Sequence, residues 1–109
     1  MNYIYALIDP LDRKIRYIGN TRNPEARYKQ HLKEVEKRCK TEKQKWIRSL
    51  LDNKLKPLMR IMHIVEDEAQ ARLIEEKEVI KHLKTVLNIH LPGKGSRDIA
   101  YFKKTGRKH

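Results

Sequence analysis

The pattern of apolar and turn-forming residues near the start of the chain predicts a β-hairpin. Residues 3–8 are β-branched or aromatic, DPLDRK then supplies turn-forming residues, and IRYIG at 15–19 resumes the strand pattern. If the turn is centred near Leu11, the antiparallel register places Tyr5 opposite Tyr17. Any even register leaves these two tyrosines on the same face of the sheet.

Capping signals after the hairpin predict two helices. Asn23 is suited to cap a helix whose first residue is Pro24, and this helix should run to about residue 38. Thr41 followed by Gln44 resembles a capping box and opens a second helix. The apolar residues of the second helix are expected on its buried side: Trp46, Ile47, Leu50 and Leu51.

The second half of the chain predicts a third strand and a third helix. KPLMRIMHIVE at 56–66 has the composition of a strand. A helix from about Asp67 to Lys84 carries its apolar residues along one side: Ala69, Leu73, Val79, Ile80 and Leu83. A chain of 109 residues suits a single domain with one core and no linker.

An acidic residue falls inside this apolar stripe. At about 100° per residue, Glu76 lies near the middle of the stripe, whereas Glu75 and Glu78 point well away from it. An isolated buried carboxylate is costly, so such a group is normally protonated, paired with a base, or bound to a metal ion. Pairing with an arginine or lysine is the ordinary explanation in a basic chain. The position still makes Glu76 a candidate functional residue.

The first predicted helix carries two further candidates. A similar projection places Arg27 and His31 one turn apart along the margin of its buried side, so both can reach into one cleft. The buried side itself carries apolar residues: Tyr28, Leu32, Val35 and Cys39. Alone, such an arginine and histidine are usually a surface cation and a partly buried polar residue.

The formal net charge of +12 makes a polyanion the natural partner. Nucleic acid is favoured because binding that neutralises phosphates releases counterions. A membrane-surface helix is disfavoured, since the basic stretch from 29 to 45 has only Leu32, Val35 and Cys39 on its apolar side. The charge by itself is also compatible with a merely well-solvated surface.

Cysteine usage and hydropathy predict a cytoplasmic protein. Cys39 is the only cysteine, which excludes an internal disulfide and argues against a structural zinc site. It is expected to be an unreactive, half-buried thiol. No basic leader precedes the first apolar run, and no stretch approaches the ~20 apolar residues of a membrane span, so neither a signal peptide nor an anchor is expected.

Taken together, the spaced motifs resemble a GIY-YIG nuclease domain over residues 3–93. YIY at 3–5 stands where the family has GIY, and YIG at 17–19 matches its second motif. The family's later positions fall on these residues: Arg27, ten residues after the second tyrosine; His31, one turn later; Glu76, its metal-binding glutamate; and Asn88, twelve residues after that. The chain departs from the family at Tyr3, which replaces glycine, and at Asn20, where some members have lysine.

The resemblance implies an α/β sandwich with a small three-stranded antiparallel sheet flanked by helices. It also implies metal-dependent hydrolysis of phosphodiester bonds in DNA. Glu76 would hold a single Mg²⁺ or Mn²⁺, and Arg27 would face the scissile phosphate. Tyr17, with Tyr5 beside it, would position or deprotonate the attacking water, and His31 is an equally plausible proton acceptor. Asn88 would fix local backbone and phosphate geometry.

Binding residues and domain limits complete these expectations. Residues 1–93 would form the nuclease domain, and the basic residues 94–109 would extend it. Contacts to nucleic acid are expected from six basic side chains: Arg22, Lys29, Lys94, Arg97, Lys103 and Lys104. The expected partner is double-stranded or branched DNA and no membrane. Targeting would come from a short element, an oligomer or a partner protein.

Two other classes remain open from the sequence. A non-catalytic basic module could grip DNA or RNA while Glu76 simply pairs with Arg27. A ribosome-associated or RNA-packaging protein would use the charge alone, with the tyrosines as core filling. Adding Mg²⁺ to labelled DNA separates a nuclease from the first alternative, and preference for structured RNA without cleavage would favour the second.

Overall fold

A computed structural model describes residues 1–87 of the 109-residue chain. In chain order its elements are β1 (Asn2–Ile8), β2 (Ile15–Thr21), α1 (Pro24–Lys37), α2 (Glu42–Asp52), β3 (Leu58–Val65) and α3 (Glu68–Lys81). The predicted order of strands and helices is confirmed over this part of the chain. None of the helices within residues 1–87 has the length and apolarity needed to cross a lipid bilayer.

The three strands form one antiparallel sheet with β1 in the middle and β2 and β3 at its edges. Because side chains alternate along a strand, β1 supplies both faces. On one face Ile4 and Ala6 pack with Val79 of α3. On the other face Tyr5 and Leu7 pack with residues of α1 and α2. The predicted α/β sandwich is therefore confirmed.

The hairpin register differs from the predicted one by two residues. Tyr5 pairs with Gly19, and Leu7 pairs with Tyr17, instead of Tyr5 with Tyr17. The prediction was wrong for two reasons: a bulge after Leu7 adds one residue to β2, and the pairing of Ile8 with Ile15 centres the turn between Leu11 and Asp12, which adds the other. The shift is even, so Tyr5 and Tyr17 still share a face, with ring centroids 6.3 Å apart.

The helix starts follow the capping chemistry predicted from the sequence. The Asn23 side chain accepts a hydrogen bond from the Ala26 amide, with Pro24 at the start of α1. Thr41 and Gln44 form the complete capping box of α2, in which each side chain accepts from the backbone of the other. These local contacts fix where α1 and α2 begin. Both helices pack on the same face of the sheet.

The buried face of α3 agrees only in part with the predicted one, because Val79 and Glu76 are buried as expected but two large apolar residues are not. Leu73 and Ile80 are 51% and 46% exposed, whereas Ala71 and Val79 are fully buried. The small side chain of Ala71 packs against the aliphatic side of the sheet, and this contact turns the larger residues outward. Apolar residues lie on more than one side of α3, so periodicity could not select the face. The predicted outward orientation of Glu75 is consequently wrong, because Glu75 is only 9% exposed.

Three smaller expectations for the α1 and α2 side can also be compared with the structure. His31 is completely buried instead of marginal. Cys39 is exposed, because α1 ends at Lys37 before reaching it. Trp46 is partly buried, and its indole N–H donates to Asp9 at 2.9 Å.

Tyr3, where the family has glycine, pairs in register with Thr21 and does not interrupt β1.

Candidate active site

Four of the predicted site residues lie together on the face of the sheet that α1 and α2 cover. Tyr5 comes from β1 and Tyr17 from β2, while Arg27 and His31 project from α1. The His31 ring lies 5.9 Å from the ring of Tyr5 and 5.2 Å from that of Tyr17, measured between centroids. The spacing of four residues between Arg27 and His31 puts both side chains over the two tyrosines.

Gly19 explains how the Tyr5 ring reaches this cluster. The register places Gly19 directly opposite Tyr5, and the phenol ring lies across it. A Cβ atom at position 19 would stand 2.5 Å from Tyr5 Cζ, which is far inside van der Waals contact. Only glycine leaves room for the ring in this position. The last residue of YIG therefore has a packing role in the site.

Tyr5 and His31 form the buried centre of the site. The Tyr5 hydroxyl and His31 Nε2 are 2.7 Å apart, and the two residues are 1% and 0% exposed. Burial, together with the positive charges of Lys43 and Arg27, lowers the pKa of His31 to about 3. The imidazole is therefore neutral near pH 7.

Arg27 connects the two phenols. Its guanidinium hydrogen-bonds with both Tyr5 and Tyr17. Burial raises the pKa of both tyrosines above the usual value for a phenol, and the charge of Arg27 opposes that shift. Tyr17 is partly buried and Tyr5 is fully buried, so Tyr17 is the less enclosed of the two residues.

Glu75 of α3 is an acidic residue whose charge acts on the tyrosines of the site. Its carboxylate accepts a hydrogen bond from Asn20 of β2, and its charge acts on both Tyr5 and Tyr17. Burial raises the pKa of Glu75 to about 7, with the Asn20 hydrogen bond and the charge of Arg72 acting in the opposite direction. Asn20, a departure from the family pattern, is thus a partner of this carboxylate.

Glu76 is buried next to Glu75, with 7% of its surface exposed. Within residues 1–87 no group of three histidine, cysteine, aspartate or glutamate side chains is arranged to hold a metal ion. A divalent ion at this site would therefore have fewer than three such side chains from the described residues, with water and phosphate oxygens as further ligands. That donor set fits Mg²⁺, which keeps several waters and often takes one or two carboxylates. Glu75, flanked by the Asn20 amide, provides such a carboxylate.

Two residues that the sequence analysis missed join the site from its helical side. Lys43 of α2 has its Nζ 3.2 Å from His31 Nδ1 and 3.1 Å from Glu34 Oε1. The same Nζ lies 4.9 Å above the centre of the Tyr17 ring. A lysine in the first turn of a helix is unfavourable, because the N-terminal end of the helix dipole is positive. This unfavourable placement was the one sequence signal that could have drawn attention to Lys43.

The predicted nucleic-acid contacts fall partly within the described residues. Lys29 is exposed on α1. The Arg22 side chain is 77% exposed, and its guanidinium lies 3.6 Å from the Glu68 carboxylate. The other four predicted contacts lie outside the described residues, namely Lys94, Arg97, Lys103 and Lys104, and so does Asn88, which was predicted as a catalytic residue.

Comparison with protein families gives one match to this chain. A family model described as the GIY-YIG catalytic domain matches residues 1–89 and so spans most of the 109 residues. Searches of curated proteins and of solved structures gave no significant match. The matched range includes every element described above.

Proposed function

The chain belongs to the GIY-YIG catalytic-domain family, a family of nucleases, and from that premise we propose that it is a metal-dependent DNA endonuclease with a single active site. The observation that carries the proposal is the convergence of Arg27 on two phenols beside a buried carboxylate. Phosphodiester hydrolysis needs a positioned water, positive charge at the developing phosphorane, and stabilisation of the leaving oxygen.

Arg27 is the proposed phosphate ligand. A guanidinium has five N–H donors in a planar fork, so it can keep its hydrogen bonds to Tyr5 and Tyr17 and still donate to phosphate oxygens. Its charge is permanent and partly shielded from solvent in this site. An arginine held in advance by two phenols stabilises charge that develops on the phosphorane without having to reorganise.

Tyr17 is the proposed water-positioning residue and proton acceptor. The Tyr17 residue is only partly buried, whereas Tyr5 is 1% exposed and engaged by His31. Because burial raises the pKa of Tyr17, the phenol is protonated near neutral pH, and the charge of Arg27 is what favours loss of its proton. His31 is a poor candidate for this role, because it is fully buried and both of its ring nitrogens already have partners.

Glu75 is the residue we propose as the metal ligand, in preference to Glu76. Its carboxylate acts electrostatically on both phenols and is hydrogen-bonded to Asn20 at the sheet edge. A bound Mg²⁺ or Mn²⁺ would supply positive charge for the phosphate and leaving oxygens. Because a divalent cation favours the ionised carboxylate, binding should release a proton below the raised pKa of about 7.

Substrate contacts and context follow from the charge and the size of the chain. We propose double-stranded or branched DNA as substrate, with Arg22, Lys29 and the basic residues 94–109 contacting phosphates and Asn88 fixing local geometry. One active site cuts one strand, so double-strand cleavage would need a second copy or a second binding event. The exposed, single Cys39 is compatible with a reducing compartment such as the cytoplasm.

The test is incubation of the purified protein with supercoiled plasmid, with and without Mg²⁺ or Mn²⁺. We expect nicked circles only in the presence of the metal, with one strand end carrying a phosphate. The Arg27→Ala variant, assayed in parallel, should bind the plasmid but leave it intact. Binding without cutting at any metal concentration by the unmodified protein would support the non-catalytic binding module instead.

A further inference from the structure

Four side chains from three elements form a continuous hydrogen-bonded row beneath the site. Glu34 Oε1 lies 3.1 Å from Lys43 Nζ, which lies 3.2 Å from His31 Nδ1. His31 Nε2 lies 2.7 Å from the Tyr5 hydroxyl. The row starts near the surface of α1, crosses to α2, and returns through α1 to the central strand. The Lys43 side chain is only 12% exposed, so water competes little for these contacts.

The donors and acceptors in this row allow one assignment of the imidazole protons. An ammonium group has only donors, so Lys43 donates both to Glu34 and to His31 Nδ1. A neutral imidazole has one N–H, and with Nδ1 accepting, that proton is on Nε2. His31 therefore donates to the Tyr5 oxygen. Burial lowers the pKa of Lys43, and the hydrogen bond and charge of Glu34 oppose that shift and so favour the charged ammonium.

We propose that Lys43, held by Glu34, is a positioning residue that fixes His31 as its Nε2–H tautomer and thereby fixes the role of Tyr5. The Tyr5 oxygen accepts from His31 and from Arg27, which occupies both of its lone pairs. In this state Tyr5 cannot accept a further proton. Its own O–H can then act only as a donor.

The consequence is a division of tasks between two chemically identical side chains. Tyr5, locked by the row, is a hydrogen-bond donor, while Tyr17 is available to take a proton from water. The catalytic meaning of this division rests on the proposed nuclease function. The tautomer of His31 does not depend on that function, because it is a property of the protein without substrate. The two claims can therefore fail separately.

The direct test is long-range ¹H–¹⁵N NMR of protein labelled with ¹⁵N-histidine, near pH 7. The His31→Gln variant identifies the His31 signals by their loss. We expect a protonated Nε2 and an unprotonated Nδ1 in the parent protein. A protonated Nδ1, or a doubly protonated ring, would overturn the proposal.

Two substitutions at position 43 test whether lysine is the cause. Lys43→Met removes the donor and keeps the apolar stem, and we expect the His31 signals to move toward a mixture of tautomers. Lys43→Arg keeps a donor-only cation and should retain the Nε2–H form. Lys45→Met is the matched control, since Lys45 is an exposed residue of the same helix, paired with Glu42. An unchanged tautomer in a folded Lys43→Met protein would overturn the assignment.

The activity readout is kept separate from the spectroscopic one. In the Lys43→Met variant we expect kcat to fall by about 10- to 100-fold while DNA affinity changes little, as for partners that orient a functional histidine. A loss confined to DNA affinity would make Lys43 an ordinary phosphate contact and would contradict the positioning role. If the parent protein cut no DNA, the nuclease proposal would fail while the tautomer experiment would still decide the arrangement of the row.

Discussion

The two faces of the sheet bury their residues for different purposes. On the α3 face Ile4, Ala6 and Ile18 form an aliphatic cluster with α3. On the α1 and α2 face, burial holds polar groups in a fixed arrangement: Tyr5, Arg27, His31 and Lys43. The first kind of packing contributes stability through apolar area removed from water. The second restricts the orientation and protonation of side chains that could act on a phosphate.

The comparison also identifies the point where the two faces meet. Glu75 belongs to α3, yet its carboxylate contacts Asn20 at the edge strand and acts on the tyrosines of the other face. At the β2 edge of the sheet, the helix that packs on the aliphatic face therefore supplies the Glu75 carboxylate to the polar site on the other face. Substitutions on each face should therefore separate folding from activity.

Substitutions at two adjacent residues, Ile4 and Tyr5, are expected to separate effects on stability from effects on cutting most clearly. Ile4→Ala removes a fully buried side chain from the aliphatic face and should lower the free energy of unfolding by about 2–5 kcal/mol. Tyr5→Phe keeps the ring and its packing but removes the hydroxyl, so it should impair cutting far more than folding. Denaturant unfolding and plasmid nicking, measured on both variants, check this. Equal effects of both substitutions on stability and cutting would remove the distinction between the faces.

Arg27→Lys tests whether the polar face acts through geometry or only through charge. Lysine keeps the positive charge but cannot bridge two phenols and a phosphate with a planar fork. We expect cleavage to fall by about 10²-fold or more with DNA affinity nearly unchanged. Single-turnover cleavage and equilibrium binding separate the two quantities. Parallel losses in both would identify Arg27 as a binding contact only.

Gly19→Ala tests the packing that brings Tyr5 to His31. The added methyl group must displace the Tyr5 ring, and overpacking of this kind costs about 1–3 kcal/mol. We therefore expect a modest fall in thermal stability together with loss of the His31 Nε2 contact seen by NMR. A variant with parental stability and an unchanged His31 signal would show that the ring can move aside at no cost.

The smallest effect near neutral pH is expected from His31. Its pKa is lowered to about 3 in the folded protein, against about 6.5 for an unperturbed histidine. Between these values the unfolded chain binds the proton and the folded one does not, so stability should fall as the pH decreases from about 6.5 to 3. His31→Gln should lack this component of the pH dependence. Parallel stability curves for parent and variant would contradict a buried, neutral His31.

The parts of this molecule that follow from local chemistry could be predicted from its sequence. Asn23 and Thr41 fixed two helix starts, and alternation placed Tyr5 and Tyr17 on one face even though the bulge changed their register. The orientation of α3 could not be predicted, because the contact made by the small residue Ala71 outweighs the hydrophobicity of Leu73. The approach of Lys43 to His31 depends on how α1 packs against α2, which no local pattern encodes.

The central claim is that Glu75 supplies the metal-binding carboxylate of a nuclease site, although sequence spacing favours Glu76. The most direct test compares Glu75→Gln and Glu76→Gln in Mg²⁺-dependent plasmid nicking, with Mn²⁺ binding measured on the same preparations. We predict that Glu75→Gln folds and binds DNA but neither nicks plasmid nor retains the tight Mn²⁺ site, while Glu76→Gln keeps both. Full metal-dependent nicking by Glu75→Gln, or loss of nicking and Mn²⁺ binding only in Glu76→Gln, would contradict the account.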